Sequence, residues 1–573
     1  MLFLLPGILR IRGREPLGPL FAAPLVSLLF WGAFLPAAGL LGVAPGFAAW
    51  LGLAAAGAGL GAGFFEFRRI PRGKEVLLPA GLALLFLGLR LLPLGWAVGP
   101  PGAEPAFHAF LARRVLECGG WPADLSPQIP GIRAGGFAGA LSFSAAAWAD
   151  ASGGGIRALP GLFLLQACLA QWALDVGFLA LGTALAGPAA GGAAALILGL
   201  ASPFPQDVAG WGGTGNLLAL AAGCLLLAER IRGRRGWKRT FFLAAAAGAA
   251  HPLGGILLLL ALFPDWIRSL RSGGGPSAAA GILGVLLFSG ILPMVLLGPE
   301  FSRPERVKAA AWGLRTGPCR ADLPAAALPA APALAARRRM GAGAAGLALA
   351  GILLGLLFRR IRRPGFMFLV STLPLPWIFA AGIPGRLLPV LGLVYPERAF
   401  LWILPAFLAG TALPPAALSA WVERGGKGRR ALEGLLALGL ALWAVRAVRV
   451  GYGETYLGRV LREGVLAPSD LDVLFRMDRI LPAGAVVETR PDDAGLWVPA
   501  LAGRRATCFH LTPPLFQEGR RAAASERAGF LFRGARPNPG LGREWTTCPG
   551  GTSGPVRRRR VLLRRGRTLL LER

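Results

Sequence analysis

Residues 75–98 read EVLLPAGLALLFLGLRLLPLGWAV, and residues 99–131 continue as GPPGAEPAFHAFLARRVLECGGWPADLSPQIPG. A helix rises about 1.5 Å per residue and the hydrocarbon layer is about 30 Å thick, so the first stretch is a span and the second opens at its exit. Outward from this junction, apolar segments of crossing length recur near 17–43, 47–66, 158–185, 188–205, 212–228, 277–298, 341–358, 366–384, 397–421 and 431–449. An α-helical polytopic membrane protein of about 11 full spans is expected. Residues 135–149 are too few to span and 240–263 are broken at His251-Pro252, so both are expected as re-entrant or half helices.

Composition agrees with this reading. The 573 residues include 84 glycines and 48 prolines, are 54% hydrophobic and carry a formal charge of +32. Mean hydropathy is +0.57, which excludes a soluble globular enzyme. Arginine outnumbers lysine 57 to 4, a bias expected of a G+C-rich genome. The basic residues sit mostly in seams beside spans, where anionic lipid and sidedness explain them, so no nucleic-acid partner is expected. The opening MLFLLPGILRIRGRE places its charge after the apolar run and shows no cleavage motif, so it is not read as a signal peptide. Six cysteines without a CxxC, and histidines only at 108, 251 and 510, argue against a disulfide scaffold or a zinc cluster.

The seams set the topology. Arg68, Arg69, Arg72 and Lys74, Arg230 to Arg239, Arg268 with Arg271, Arg359 to Arg363, and Arg424 to Arg430 are expected on the cytoplasmic side, with a cytoplasmic N-terminus. Basic seams on both sides of 240–263 make it a hairpin, whereas Arg337, Arg338 and Arg339 fall outside, against the rule. Residues 99–157, 299–340 and 450–573 then face outward from a membrane domain over 1–449. From 450 the pattern shifts to short runs such as AVVETR, LWVPALAG and AGFLFRGA between turn residues, which predicts a small α/β or mostly β outer domain. Cys508 and Cys548 fall there, and an oxidising compartment permits them to pair.

Glu104 and His108 stand at i, i+4 just past the exit of the span at 75–98. On a helix they share a face, and a carboxylate beside an imidazole at the lipid–water boundary suits a general base for a hydroxyl. The same pair also reads as a solvated helix start whose acid complements the dipole.

The loop bearing this pair, its GGWPADLSPQ segment and the Gly-rich GGFAGALSFSAAAWADASG at 135–153 together resemble the GT-C superfamily of polytopic glycosyltransferases. FFLAAAAGAAHPLGGILLLL at 241–260 resembles its interrupted helix, and YPERAFLWILPAFLAGTAL at 395–413 its late span entered by an Arg. AVVETRPDDAGLWVPALAGRRAT at 485–507 and LLRRGRTLLLER at 562–573 resemble the closing segments of bacterial GT-C-like proteins. The resemblance implies a plasma (inner) membrane enzyme that moves a sugar from a polyprenyl-phosphate donor to a cell-envelope glycan or lipid acceptor on the outer face. Glu104 would stand where the family has its first-loop acid, normally Asp, with His108 as its partner or an acceptor-site ligand. The second carboxylate frequent in the family is not adjacent, and Asp124, Asp207 or Glu300 would have to supply it. The metal is therefore left unknown, a divalent cation such as Mg or Mn being the kind implied.

Arginine binds phosphate oxygens in pairs, so Arg398, then Arg386, are the candidate donor-phosphate ligands; snorkelling at a span end is their other reading. Asp207, in SPFPQDVAGWGGTG, reads as a cleft-lining acid or as a turn residue. His251 beside Pro252 marks either a pathway or a buried hydrogen bond. Asp492 and Asp493 before Trp497 have a sugar-binding composition, or form a turn leading into a core tryptophan. The run Arg557 to Arg560 reads as a lipid- or phosphate-docking patch or as a solvated loop. Two rival functions remain: a transporter or flippase of a lipid-linked saccharide with His251 at the translocation site, and an inactive GT-C-like scaffold.

Overall fold

The computed structural model describes Ala38 and, with internal gaps, residues 42–54, 74–288, 346–353, 400–507 and 528–572, the segment 536–559 excepted. The expected span at 366–384, most of those at 17–43, 47–66 and 341–358, and part of those at 277–298, 397–421 and 431–449 lie outside the described residues.

Helix α1 (Lys74–Leu91) runs into a tight turn at Leu92–Gly95. Across the exit come α2 (Glu104–Cys118), a short hairpin of β1 (Asp124–Leu125) and β2 (Ile129–Arg133), and α3 (Ala140–Ala151). The 135–149 stretch thus gives a helix too short to cross. Helix α4 (Leu159–Ala186) follows, then α5 (Pro188–Leu196), which widens into a π turn at Ile197–Ala201. Ser202 is extended at φ −82°, ψ 131°, and the chain restarts as α6 (Pro203–Gly210). The segment 188–205, expected as one uninterrupted span, is broken there because the residue before a proline is driven out of the helical region.

The return along α4 is close. A Cβ on Gly191 would fall 2.3 Å from the backbone of Gly182, so only glycine allows these helices to meet there. Helix α7 (Thr214–Ile231) then crosses again. Leu78–Gly95, Gly155–Ala186 and Thr214–Ile231 are the described stretches long and apolar enough to span.

Next come α8 (Trp237–Ala250), α9 (Pro252–Arg271) and α10 (Gly275–Phe288). His251, at φ −160°, ψ 122°, breaks the chain between α8 and α9. A Cβ on Gly255 would lie 2.9 Å from the Cα of Gly248. In one continuous helix those residues would be about 10 Å apart, so α8 and α9 fold back as the hairpin that the basic seams imply. Helix α11 (Leu404–Val422) completes the described membrane elements.

The C-terminal part has α12 (Pro468–Ile480) and five strands: β3 (Val486–Glu488), β4 (Arg505–Ala506), β5 (Phe530–Arg533), β6 (Arg560–Arg565) and β7 (Thr568–Glu572). Their order is β4-β3-β5-β7-β6, with β3 parallel to both neighbours and β7 antiparallel to both of its own. This is the α/β module that the short runs predict, but its core is shared. Phe107, Phe110 and Leu111 of α2 and Phe143 of α3 are buried in one cluster with Val473, Trp497, Phe532 and Leu570. Arg113 of α2 reinforces the joint, donating to Leu501 O at 3.0 Å, and Gln128 donates to Gly503 O at 3.3 Å.

A second constraint lies in the bundle. Arg90, fully buried on α1, donates from Nε and Nη2 to the two carboxylate oxygens of Asp175 on α4, at 2.7 and 3.0 Å. Its Nη1 reaches Gln171 Oε1 at 2.9 Å and Gln206 Oε1 at 3.1 Å, and Nη2 also reaches Gly199 O. Removing one partner of such a pair strands a charge in a medium that cannot solvate it, at about 3–5 kcal/mol. Asp175→Asn should therefore lower the melting temperature in nanodiscs sharply, and Arg90→Met with Asp175→Leu together should cost less than Asp175→Asn alone. A double variant as unstable as the single would show that the stranded charge is not the cause.

Candidate functional site

The site is assembled where α1 delivers the chain to α2. Glu104 opens α2 with Pro105 behind it, a place in the first turn where a proline loses no hydrogen bond. Both face the turn after α6: a Cβ on Gly212, which has φ +93°, would lie 2.4 Å from Pro105 Cδ and 3.2 Å from Glu104 Cβ. Gly212 is thus required twice, for its left-handed backbone and for its bare α-carbon.

One helical turn on, His108 places Nε2 at 4.0 Å from Glu104 Oε1, the side chains being 18% and 12% exposed. The i, i+4 pairing expected from the sequence is present, in a half-buried setting. His108 Nδ1 lies 3.1 Å from Ser142 Oγ on α3, and Phe163 of α4 stacks on the ring, centroids 6.5 Å apart and planes 23° apart. The carboxylate and imidazole are therefore held by α2, α3, α4 and the turn at Gly212. Such an array can accept a proton from a hydroxyl brought to Glu104. Glu104 and His108 supply two metal-ligand types, but no group of three His, Cys, Asp or Glu occurs among the described residues, so the two alone do not make a cation site.

The other sequence candidates fare differently. Asp207 stands on α6, whose closing turn touches Glu104, so the fold brings its helix to the pair. Arg398, Arg386, Asp492, Glu300, Cys508 and Cys548 lie outside the described residues. Asp493 and Trp497 are corrected: they are core, not a sugar-facing surface. Trp497 is fully buried, and Asp493, 2% exposed, accepts from Gly495 N–H at 2.6 Å and Gly534 N–H at 2.9 Å. The bound carboxylate caps the short helix at Ala494–Trp497, which is the turn reading of the same letters. His251 sits at the tip of the hairpin, beside Gly215 of α7.

Sequence reading missed Arg90, Asp175 and Ser142. The first two carried a signal: each is a lone charge inside an apolar run, and charges at that depth pair. Ser142, one of two serines in an alanine-rich helix, carried none.

No family model matches the chain, and no curated protein matches it in sequence. Among solved structures, the Archaeoglobus fulgidus oligosaccharyltransferase in complex with Zn and sulfate superposes at a TM-score of 0.51, with 15% identity, over 79% of this chain and 67% of its own. The apo form of that protein gives 0.50 and 13% identity over 81% and 70%. ArnT from Cupriavidus metallidurans aligns over 86% of this chain and 98% of its own, at 0.47 and 14% identity.

Asp493→Ala should leave two buried N–H groups without an acceptor, each worth about 1–3 kcal/mol. Its expected signature is a lower melting temperature with unchanged substrate KM. A raised KM at unchanged stability would restore the sugar-contact reading. At these identities the likeness is one of fold: the chain shares the fold of the oligosaccharyltransferase and, among its described residues, has three helices long and apolar enough to cross a membrane.

Proposed function

We propose that the protein is a membrane glycosyltransferase, moving a sugar from a polyprenyl-phosphate donor to a hydroxyl of a cell-envelope glycan or lipid on the outer face of the plasma membrane. The observation that carries this reading is the half-buried Glu104–His108 pair at the exit of α1, within a GT-C-like fold. Glu104 takes the acceptor's proton as the acceptor oxygen bonds to the anomeric carbon. The bond from that carbon to the phosphate oxygen breaks on the opposite side, and polyprenyl phosphate leaves with the electron pair, inverting the centre. Arg398, with Arg386 second, holds the leaving phosphate, and a base at headgroup depth meets a donor whose phosphate rests at the same level. Asp207 and Asp492 are the remaining substrate-side candidates, Asp207 also being a candidate for a second carboxylate, on the helix whose closing turn meets Glu104.

The rival transport reading needs a path at His251. A Cβ on Gly215 would fall 2.4 Å from Ala250 O, so the hairpin tip is packed directly against α7, which supports transfer over transport.

Glu104→Gln keeps the side chain's size and removes the base, so kcat in a reconstituted assay should fall about 10²–10⁴-fold with folding intact. Arg398→Ala should raise the donor KM instead. Full activity in Glu104→Gln would refute the assignment and return the carboxylate to a helix-start role.

The reading also places residues 99–157 and 450–573 outside, and the core they share supports a common side for both. A reporter fused at Arg573 should be active only in its extracytoplasmic form; cytoplasmic activity alone would overturn the orientation.

A further inference from the structure

Ser142 is fully buried on α3, with its hydroxyl on the far side of the His108 ring from Glu104. A neutral imidazole donates from one nitrogen and accepts at the other, and its neighbours decide which. A hydroxyl donating to Nδ1 leaves the ring proton on Nε2, facing the carboxylate. We propose that Ser142 is a positioning residue for the transfer reaction: it fixes His108 as the neutral Nε2–H tautomer and so keeps Glu104 available as a base. This rests on the role assigned to Glu104 above.

The surroundings support the assignment. Phe163 lies alongside the ring, nearly parallel to it, and backs the face it presents to α4. Gln166 of α4 donates to Leu141 O at 3.2 Å and Ser144 Oγ at 3.1 Å, pinning the turn of α3 that carries Ser142. Without the Ser142 donor, Nδ1 is free to take a second proton. The resulting imidazolium, 4.0 Å from Glu104 Oε1, would form an ion pair that holds the carboxylate ionised and opposes its taking a proton from the acceptor.

Charged groups on the elements packed against α2 are engaged elsewhere. Arg113 and Arg114 bind Glu117, and Asp150 of α3 accepts from Gly46 N–H at 2.9 Å. Arg157, before α4, lies over the Phe475 ring, and Asp175 holds Arg90. Asp478 pairs with Arg504 and Arg113, and Asp493 caps its own turn. Among the described residues, Asp207, on α6, is the remaining acid on an element that borders Glu104.

The chain has three histidines, so ¹⁵N-histidine labelling of the full-length protein in nanodiscs resolves His108, its signals being assigned by their loss in His108→Gln. The expected result near pH 7 is the Nε2-protonated neutral ring, retained in Ser142→Thr, with protonation at higher pH in Ser142→Ala. An Nδ1-protonated ring in the unsubstituted protein, or identical ring titration in Ser142→Ala, overturns the proposal; the first readout stands even where Ser142→Ala does not fold. In the transfer assay, Ser142→Ala should move the acid limb of kcat/KM to higher pH, with roughly tenfold loss below about pH 6.5 and no added effect in a His108→Gln background. A uniform loss at every pH means a merely structural hydroxyl and also overturns it. Full activity in Glu104→Gln would instead sink the base role of Glu104 on which this proposal rests, and the tautomer measurement, made without substrate, tells the two failures apart.

Discussion

Arg90 carries a charge that the bilayer interior cannot solvate, and much of the bundle near the site is arranged around meeting it. A guanidinium has five N–H donors, and here each finds an acceptor on Asp175, Gln171, Gln206 or the Gly199 carbonyl. That saturation sets local backbone structure. The i+4 partner of the Gly199 carbonyl is Pro203, which has no N–H to give it, and Gly199 must lack a side chain, since a Cβ there would sit 2.4 Å from Asp175 Oδ1. Gln206 passes the constraint to α6 through its own bonds to Gly199 O and Ser202 O. Tyr452 covers Arg90 with its ring at 5.5 Å and donates to Leu89 O, so the chain is fixed where it turns toward the C-terminal module.

The site lies between this hub and the core that α2 and α3 share with the C-terminal module. From below, Arg90 fixes the end of α1 and, through Gln206, the helix whose closing turn contacts Glu104. From above, α2 is sealed against the C-terminal module by Phe107, Phe110 and Leu111, with Arg113 donating to the end of the turn at Val498–Ala502. A general base needs its geometry set before substrate arrives, and two independent anchors on one short helix accomplish that. They also add tertiary burial to whatever intrinsic propensity the 15 residues of α2 have, and most helical stability in proteins comes from such packing.

Much of this was legible in the letters. Span length gave α1, α4 and α7; basic seams on both flanks gave the α8–α9 hairpin; the spacing of Glu104 and His108 gave their pairing. Local chemistry sufficed in each case. What failed was information carried across the chain. Arg113 meets Leu501 across 388 positions, so nothing near either residue announces that the C-terminal module and the first loop share a core. PDDAGLW reads the same whether its acid faces sugar or caps a turn, and only burial separates the two. The break at Ser202 was written in the PFP that follows it, and the apolar run hid it.

The shared core also restricts topology in a way no single span does. Because α2 and the C-terminal module pack together, the chain must cross the membrane an even number of times between them. Helix α4 leaves the Glu104 side; α5 and its π turn bring the chain back, since Gly191 lies against Gly182 and Gly199 against Asp175, the register of an antiparallel pair. Helix α7 leaves again, and the α8–α9 hairpin returns to the side it started from, whether or not its tip reaches the far surface. On the proposed topology three crossings are then used by Arg271, so an odd number would follow before residue 450. The five apolar segments that the sequence offers from 277 to 449 would meet that parity on the proposed topology, and the core that α2 shares with the C-terminal module is what demands it.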